Sequence, residues 1–171
     1  IRGARAAGVD ATAMVRERGT LSNGYSRRTP LIAAAENKHS TVAEYLVEII
    51  YPNATALEKK YYAEFPEGTP LVCACEKGRV EDVEGMIRGA RAAGMDVTAM
   101  VSEVGTDSDA ISSTPLMEAA YYECSTIIEI LLQYNADTAT TDDYGNNALH
   151  KAAGTNKTTT TTVQLLLNNM K

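Results

Sequence analysis

The residues that could do chemistry are few and lie far apart in the sequence. There are two histidines, His39 and His150, and three cysteines, of which Cys73 and Cys75 stand two positions apart. A structural zinc site needs four ligands, and no second pair with metal-ligand spacing completes this one. The sequence also contains no phosphate-binding glycine loop, nucleophile elbow or H-E-x-x-H motif. We therefore predict no enzymatic activity, no catalytic residue, no metal site and no cofactor.

Two acidic pairs, Glu81-Asp82 and Asp142-Asp143, carry ligand types that bind cations. The first pair falls where a helix would begin, and the second falls in a turn. Carboxylates stabilise both of these local structures without any bound ion. We interpret the first pair as a solvated helix start and the second as part of a turn.

Composition and charge narrow the class of partner. The chain has 171 residues, 44% hydrophobic, with a net charge of −6 from 16 basic and 22 acidic side chains. Such a balance disfavours nucleic acid, and the apolar stretches are too short for membrane insertion. Three cysteines do not form a disulfide framework, which favours an intracellular, cytoplasmic location.

Internal repeats divide the chain. The segment Ile1-Arg-Gly-Ala-Arg-Ala-Ala-Gly8 recurs unchanged at Ile87 to Gly94. Asp10, Asn53 and Asp96 then follow one another at intervals of 43 residues. Because a fixed period of this size is typical of stacked helical units, we predict a repeat protein.

A second motif recurs with a similar period. Thr-Pro-Leu begins at Thr29, Thr69 and Thr114, and a weaker Asn-Ala-Leu begins at Asn147. Each predicts a short helix whose Thr or Asn side chain caps the N-terminus, with Pro at the first helical position of the three Thr-Pro-Leu copies. A turn and a second helix follow, and Thr41 to Glu44 and Thr126 to Glu129 read as capping boxes that open it.

Apolar residues at helical spacing predict the buried stripe of the second helices. The stripe comprises Val42, Tyr45, Leu46, Ile49 and Ile50; Val80, Val83, Met86 and Ile87; Ile127, Ile130 and Leu131; and Val163, Leu166, Leu167 and Met170. Tyr134 lies beside it, and we expect Cys75 in the core, Cys73 half-exposed and Cys124 at a turn.

Each copy of the Thr-Pro-Leu or Asn-Ala-Leu motif is followed by a pair of small residues: Ala34-Ala35, Ala74-Cys75, Ala119-Ala120 and Ala152-Ala153. With Thr-Pro-Leu, these pairs and the leucine-rich second helix, the sequence resembles the ankyrin repeat family. Asp143-Tyr-Gly-Asn-Asn-Ala-Leu-His-Lys-Ala-Ala153 is the clearest match, and the histidines His39 and His150 fall on family turn and helix positions. The resemblance covers about four units. It implies an all-α fold, an α-solenoid of stacked helix-turn-helix repeats. The unit of about 43 residues with three helices leaves an armadillo or HEAT array as the alternative.

The units are longer than the usual ankyrin length of about 33 residues. We expect short extra helices in the long finger loops, at Asp10 to Gly19, Asn53 to Pro66 and Asp96 to Gly105. The run of threonines from Thr158 to Thr162 disfavours helix, so we expect a loop there. The predicted units of a single array are 1–24 (the tail of a truncated repeat plus its finger), 25–67, 68–112, 113–145 and 146–171.

What the resemblance implies is a non-enzymatic protein–protein interaction module or scaffold. The partner would be another protein, neutral or basic, bound by the concave face of the first helices and by the fingers. A regulatory or spacer segment of a larger enzyme, channel or structural protein remains open, and an uncapped first repeat would allow end-to-end self-association. The expected contact residues are Glu76, Lys77, Glu118, Tyr121, Tyr122, Tyr144 and Lys151.

Overall fold

The computed structural model describes residues 29–108, 111–155 and 159–170. The chain divides into two compact units, Ile1–Pro66 and Glu67–Lys171. Both are built from short helices joined by tight turns. The predicted extra helix at Asp10 to Gly19 and the predicted unit 1–24 lie outside the described residues.

The first unit contains three described helices: α1 (Pro30–Glu36), α2 (Ser40–Ile50) and α3 (Ala56–Glu64). Its core forms where α1 packs against α2, and α3 packs on α2. The rings of Tyr51 and Tyr62 stack with centroids 3.8 Å apart and close the α2–α3 end of this core. The buried core residues are Leu31, Ala34, Ala43, Leu46, Val47 and Ile50.

The second unit stacks three helix pairs. Its elements are α4 (Pro70–Glu76), α5 (Val80–Ala92), α6 (Val97–Ser102), β1 (Gly105–Thr106), β2 (Ser112–Ser113), α7 (Pro115–Tyr121), α8 (Ser125–Gln133), α9 (Ala148–Ala153) and α10 (Thr160–Asn169). The first helices α4, α7 and α9 pack side by side, and the second helices α5, α8 and α10 form a layer behind them. β1 and β2 pair antiparallel in a finger loop. This is an all-α repeat solenoid.

The first helices begin as predicted, with one exception. The side chains of Thr29, Thr114 and Asn147 each accept a hydrogen bond from the backbone N–H three residues later. Thr69 precedes α4 in the same way, but its side chain does not cap the helix. Its hydroxyl oxygen instead accepts a hydrogen bond from the N–H of Thr106 in β1.

The prediction of capping boxes at the second helices is wrong. α2 and α8 begin one residue before Thr41 and Thr126, and their cap positions are His39 and Cys124, which make no side-chain cap hydrogen bond. Lys38 and Glu123, the residues just before these two cap positions, adopt a left-handed conformation, which turns the chain tightly. Gly78 does the same before Arg79, the cap position of α5.

The buried stripe is shifted on two second helices. Val42 and Tyr45 are 51% and 58% exposed, although we predicted both for the core. Ala43 and Val47 are buried instead, because α1 and α3 contact α2 on the face that carries them. In α10 and at its C-cap, the predicted core residues Leu167 and Met170 are exposed, whereas Thr162 and Leu166 of the same helix are buried.

Cys73 is fully buried, which contradicts the expectation of half-exposure. It lies on α4, and α7 packs closely against that helix. Cys75 is buried as predicted, and Cys124 stands at the turn before α8 with intermediate exposure.

The extra helices in the fingers are present in the described part of the chain. α6 begins after Asp96, whose carboxylate accepts the N–H of Ala99 at 3.1 Å. α3 begins after Thr55, not Asn53, since Thr55 and Glu58 form a capping box.

The threonine run is helical where it is described. Thr159 caps α10, and Thr160 to Thr162 form its first turn. Thr162 is buried, so packing outweighs its weak helix propensity, and the expectation of a loop was wrong for these residues. Thr158 lies outside the described residues.

Candidate functional site

The first of the expected contact residues, Glu76, ends helix α4 and holds the β1–β2 finger. Its carboxylate accepts hydrogen bonds from the N–H and the hydroxyl of Ser108, at 2.9 and 2.8 Å, and forms an ion pair with Lys77. Burial opposes ionisation of Glu76, but these three donors outweigh it and lower its pKa. Glu76 is thus engaged within the chain, and Lys77 also donates to the Ser108 hydroxyl at 3.3 Å.

Glu118 occupies the middle of α7 and is buried, with 5% of its surface exposed. The hydroxyl of Ser113 in β2 donates to its Oε1 at 2.6 Å. Burial raises the pKa of Glu118, and the nearby carboxylate of Asp107 raises it further. The side chain is held in one place by the finger and sits on the layer of first helices.

Tyr121 and Tyr122 follow Glu118 by three and four residues, so all three side chains share one face of the helix end. The two tyrosines are 47% and 49% exposed. Their rings meet edge to face, with centroids 5.0 Å apart and planes at 82°. Partial burial raises the pKa of Tyr122, and the carboxylates of Glu76 and Glu118 raise it further.

The last finger loop turns around Asp142. Its carboxylate accepts the N–H groups of Tyr144 and Asn146 at 2.9 and 2.8 Å, and pairs with Nζ of Lys151 at 2.8 Å. Burial works against the charge, but Lys151 and the N–H donors lower the pKa of Asp142 to about 2. Asp142 is therefore a buried structural carboxylate within a turn, which is the local structure that we predicted for it.

The expected contact residues consequently fall into two groups. Glu76, Lys77 and Lys151 are tied to finger loops by ion pairs and hydrogen bonds. Tyr121, Tyr122 and Tyr144 have large exposed surfaces, and Tyr144 is 80% exposed at its finger tip. Glu118 joins the first group through its hydrogen bond from Ser113 in β2, and it is buried beside the exposed pair.

Sequence reasoning did not select Asp107. It follows β1, accepts the N–H of Ile111 at 2.9 Å, and lies close enough to raise the pKa of Glu118 and of Tyr122. The sequence offers one signal for Asp107, the polar residues that follow Gly105. These residues predict a turn, but they do not predict that Asp107 lies close to α7.

A groove lies within the first unit. It has a volume of about 520 Å³, runs between α2 and α3 and is lined by Val47, Ala63 and the stem of Lys59 among others. Lys59 forms an ion pair with Glu48 at 2.6 Å along this groove. Two of the charged groups in this groove are therefore paired with each other.

Among residues 29–108, 111–155 and 159–170, no three His, Cys, Asp or Glu side chains come together as a metal site. In the same part of the chain, no helix has the length and apolar character needed to cross a bilayer.

A model of the ankyrin repeat family, in three copies, matches residues 97–171. The match includes α6 to α10 and both finger loops described above. A search of curated proteins found no match.

Proposed function

We propose that the chain, whose residues 97–171 match the ankyrin repeat family, is a non-enzymatic module that binds a partner protein. Ankyrin repeats generally mediate protein–protein interaction, and the armadillo or HEAT alternative is set aside. The proposed surface consists of the first helices of the second unit, α4, α7 and α9, together with their finger loops.

One observation carries this proposal. Tyr121 and Tyr122 present two rings to solvent at the end of α7, at the centre of the row of first helices. Tyrosine supplies a large contact area and a polar group with few rotatable bonds, and is enriched where proteins bind each other. An exposed pair with fixed mutual geometry is pre-organised for contact.

The other expected contact residues take distinct roles in the proposal. Tyr144 offers a further contact at a finger tip, while Glu76, Lys77 and Lys151 hold the fingers in position. Glu118 sits beneath the tyrosine pair. The surface would bind with little rearrangement because the hydrogen bonds of Ser108 and Asn146 already order both fingers.

Affinity capture from a cell lysate tests the proposal. The intact chain is compared with a Tyr121→Ala/Tyr122→Ala variant and with a Val42→Ala/Tyr45→Ala control, which removes exposed apolar side chains from the first unit. We expect a partner that the intact chain and the control retain and the tyrosine variant loses. Equal retention by all three would move the binding site elsewhere, and capture of no protein would favour the regulatory or spacer segment.

End-to-end self-association, the cytoplasmic location and the exclusion of nucleic acid stay predictions. Light scattering over a range of concentrations tests the first, since a constant monomer mass would contradict it.

A further inference from the structure

Among its described residues, the second unit buries three carboxylates, Glu76, Glu118 and Asp142. Glu76 is paired with Lys77, and Asp142 with Lys151. Glu118 accepts a hydrogen bond from Ser113 but forms no ion pair with any residue that the structure describes. Burying a charged carboxylate without a cation destabilises the folded state. The other two buried carboxylates of the unit each have a lysine partner.

Most of the charges around Glu118 are negative. Asp107 and Glu76 are close enough to raise its pKa, and Lys151, which lowers it, forms its ion pair with Asp142 at 2.8 Å. Lys77 is engaged by Glu76 and Ser108. The region around Glu118 therefore keeps an excess of negative charge, in a chain whose net charge is already −6.

The exposed tyrosine pair lies one helical turn beyond Glu118 on the same face of α7. An aromatic ring attracts a cation over its face, and a planar guanidinium combines this stacking with bidentate hydrogen bonding to a carboxylate. An ammonium group satisfies only the charge. An aromatic pair of fixed geometry beside a carboxylate that forms no ion pair therefore fits arginine better than lysine.

We infer that the surface formed by Glu118, Tyr121, Tyr122 and Asp107 accepts an arginine side chain from a basic, extended segment of the partner protein. The inference rests on the proposed function and specifies the chemistry of the partner. In the bound state the guanidinium would contact the ring of Tyr121 or Tyr122 and approach the carboxylate of Glu118. Charge complementarity would then set specificity as well as the rate of association.

Fluorescence anisotropy with defined peptides tests the inference. The probes are a labelled glycine–serine peptide that carries three arginines, the same peptide with lysines, and the same peptide with citrullines, which keep the shape of arginine without its charge. We expect the arginine peptide to bind about tenfold more tightly than the citrulline peptide, with the lysine peptide between them. Its affinity should fall as the salt concentration rises from about 20 mM to about 500 mM.

The decisive variant is Glu118→Gln, which removes the charge but keeps an oxygen that can accept the Ser113 hydrogen bond. Its control is Glu129→Gln, an exposed position on α8 that changes the net charge by the same amount. We expect Glu118→Gln to weaken binding of the arginine peptide about tenfold and Glu129→Gln less than twofold. Thermal melts of both variants establish that they are folded.

Three results would overturn the inference: no binding of the arginine peptide, equal binding of the arginine and citrulline peptides, or equal effects of the two glutamate variants. Equal binding of the lysine peptide would overturn the assignment to a guanidinium. The proposed function is tested by a different result, the lysate capture. It is contradicted if the Tyr121→Ala/Tyr122→Ala variant captures the same proteins as the intact chain. A partner whose capture needs the tyrosines but not Glu118 would leave the function standing without its arginine contact.

Discussion

Thr69 and Thr106, 37 residues apart, bond to each other in both directions. The N–H of Thr69 donates to the carbonyl oxygen of Thr106 at 2.9 Å, and the N–H of Thr106 donates to the hydroxyl of Thr69 at 3.0 Å. The hydroxyl of Thr106 also donates to the carbonyl oxygen of Glu67 at 2.6 Å. The start of helix α4 is thereby joined to the finger that carries Asp107, and the capping role of Thr69 is given up for this contact.

Gly105 allows the two segments to approach, and replacing it with alanine should separate them. A Cβ atom at this position would lie 2.3 Å from Oγ1 of Thr69, which requires the backbone or the threonine to move. We expect Gly105→Ala to lower the free energy of unfolding by about 1–3 kcal/mol. Chemical denaturation measures this loss, and amide exchange at Thr106 should become faster.

Gly89 provides the matched control, because it lies inside α5 and a Cβ atom there would meet nothing within 4 Å. We expect Gly89→Ala to raise the free energy of unfolding by about 0.5–1 kcal/mol, since alanine is the better helix former. Equal effects of the two substitutions would contradict the close contact at Thr69.

Removing the carboxylate of Asp142 should destabilise the second unit. Asp142→Ala leaves Lys151 without its buried partner and two N–H groups without their acceptor, and we expect a loss of about 3 kcal/mol. Asp143→Ala is the control, since this exposed neighbour should change stability by less than about 0.5 kcal/mol. Similar melting temperatures for the two variants would argue against the buried role of Asp142.

The same carboxylate makes stability depend on pH in acid. The pKa of Asp142 is about 2 in the folded protein against 3.8 as its ordinary value, so the folded state favours the charged form. Its contribution is complete above about pH 4 and is lost as the pH falls towards about 2. The difference in stability between the protein and its Asp142→Asn variant should shrink over this range, and a constant difference would contradict the assignment.

Glu118 should show the opposite dependence. Burial raises its pKa, so ionisation is disfavoured in the folded state and weakens stability as the pH rises above about 4.5. We expect Glu118→Gln to be more stable than the unchanged protein at pH 7 by about 1 kcal/mol, and the gain to disappear below about pH 4. Thermal melts at the two pH values measure the difference, and destabilisation at pH 7 would contradict it.

Thiol reactivity should separate the cysteines by burial. Desolvation raises the pKa of Cys73 to about 12 and also raises that of the fully buried Cys75. Cys124 has a raised pKa too, but it is partly exposed. We expect iodoacetamide at about pH 8 to label Cys124 at least about tenfold faster, as peptide mass spectrometry would show.

The control is the same labelling in denaturant, where the three rates should converge. Labelling of Cys73 at the rate of Cys124 in the folded protein would contradict the burial of α4.

Local signals in the sequence were enough to predict the first helices and the finger helices. Thr29, Thr114 and Asn147 cap as expected because a capping hydrogen bond spans only three residues. Asp96 begins α6 for the same reason. The repeat period and the Thr-Pro-Leu motif then indicated an ankyrin fold, and residues 97–171 match the ankyrin repeat family.

The outcome at the second helices shows where local signals are insufficient. Val42 and Tyr45 fit an apolar stripe as well as Ala43 and Val47 do, because adjacent apolar residues permit two overlapping helix faces. Which face is buried depends on where α1 and α3 pack. The left-handed turn at Lys38, which shifts the start of α2, likewise carries no glycine signal in the sequence.

For the candidate site, the sequence already shows which side chains α7 presents together, because Glu118, Tyr121 and Tyr122 are spaced by a helical turn. The environment of these side chains depends on tertiary contacts. Glu118 is buried and Tyr121 exposed because β2 supplies Ser113 on one side and leaves the helix end open on the other. A hydrogen bond across 32 residues, such as that from Ser108 to Glu76, depends on the path of the intervening finger, and helix periodicity contains no information about that path.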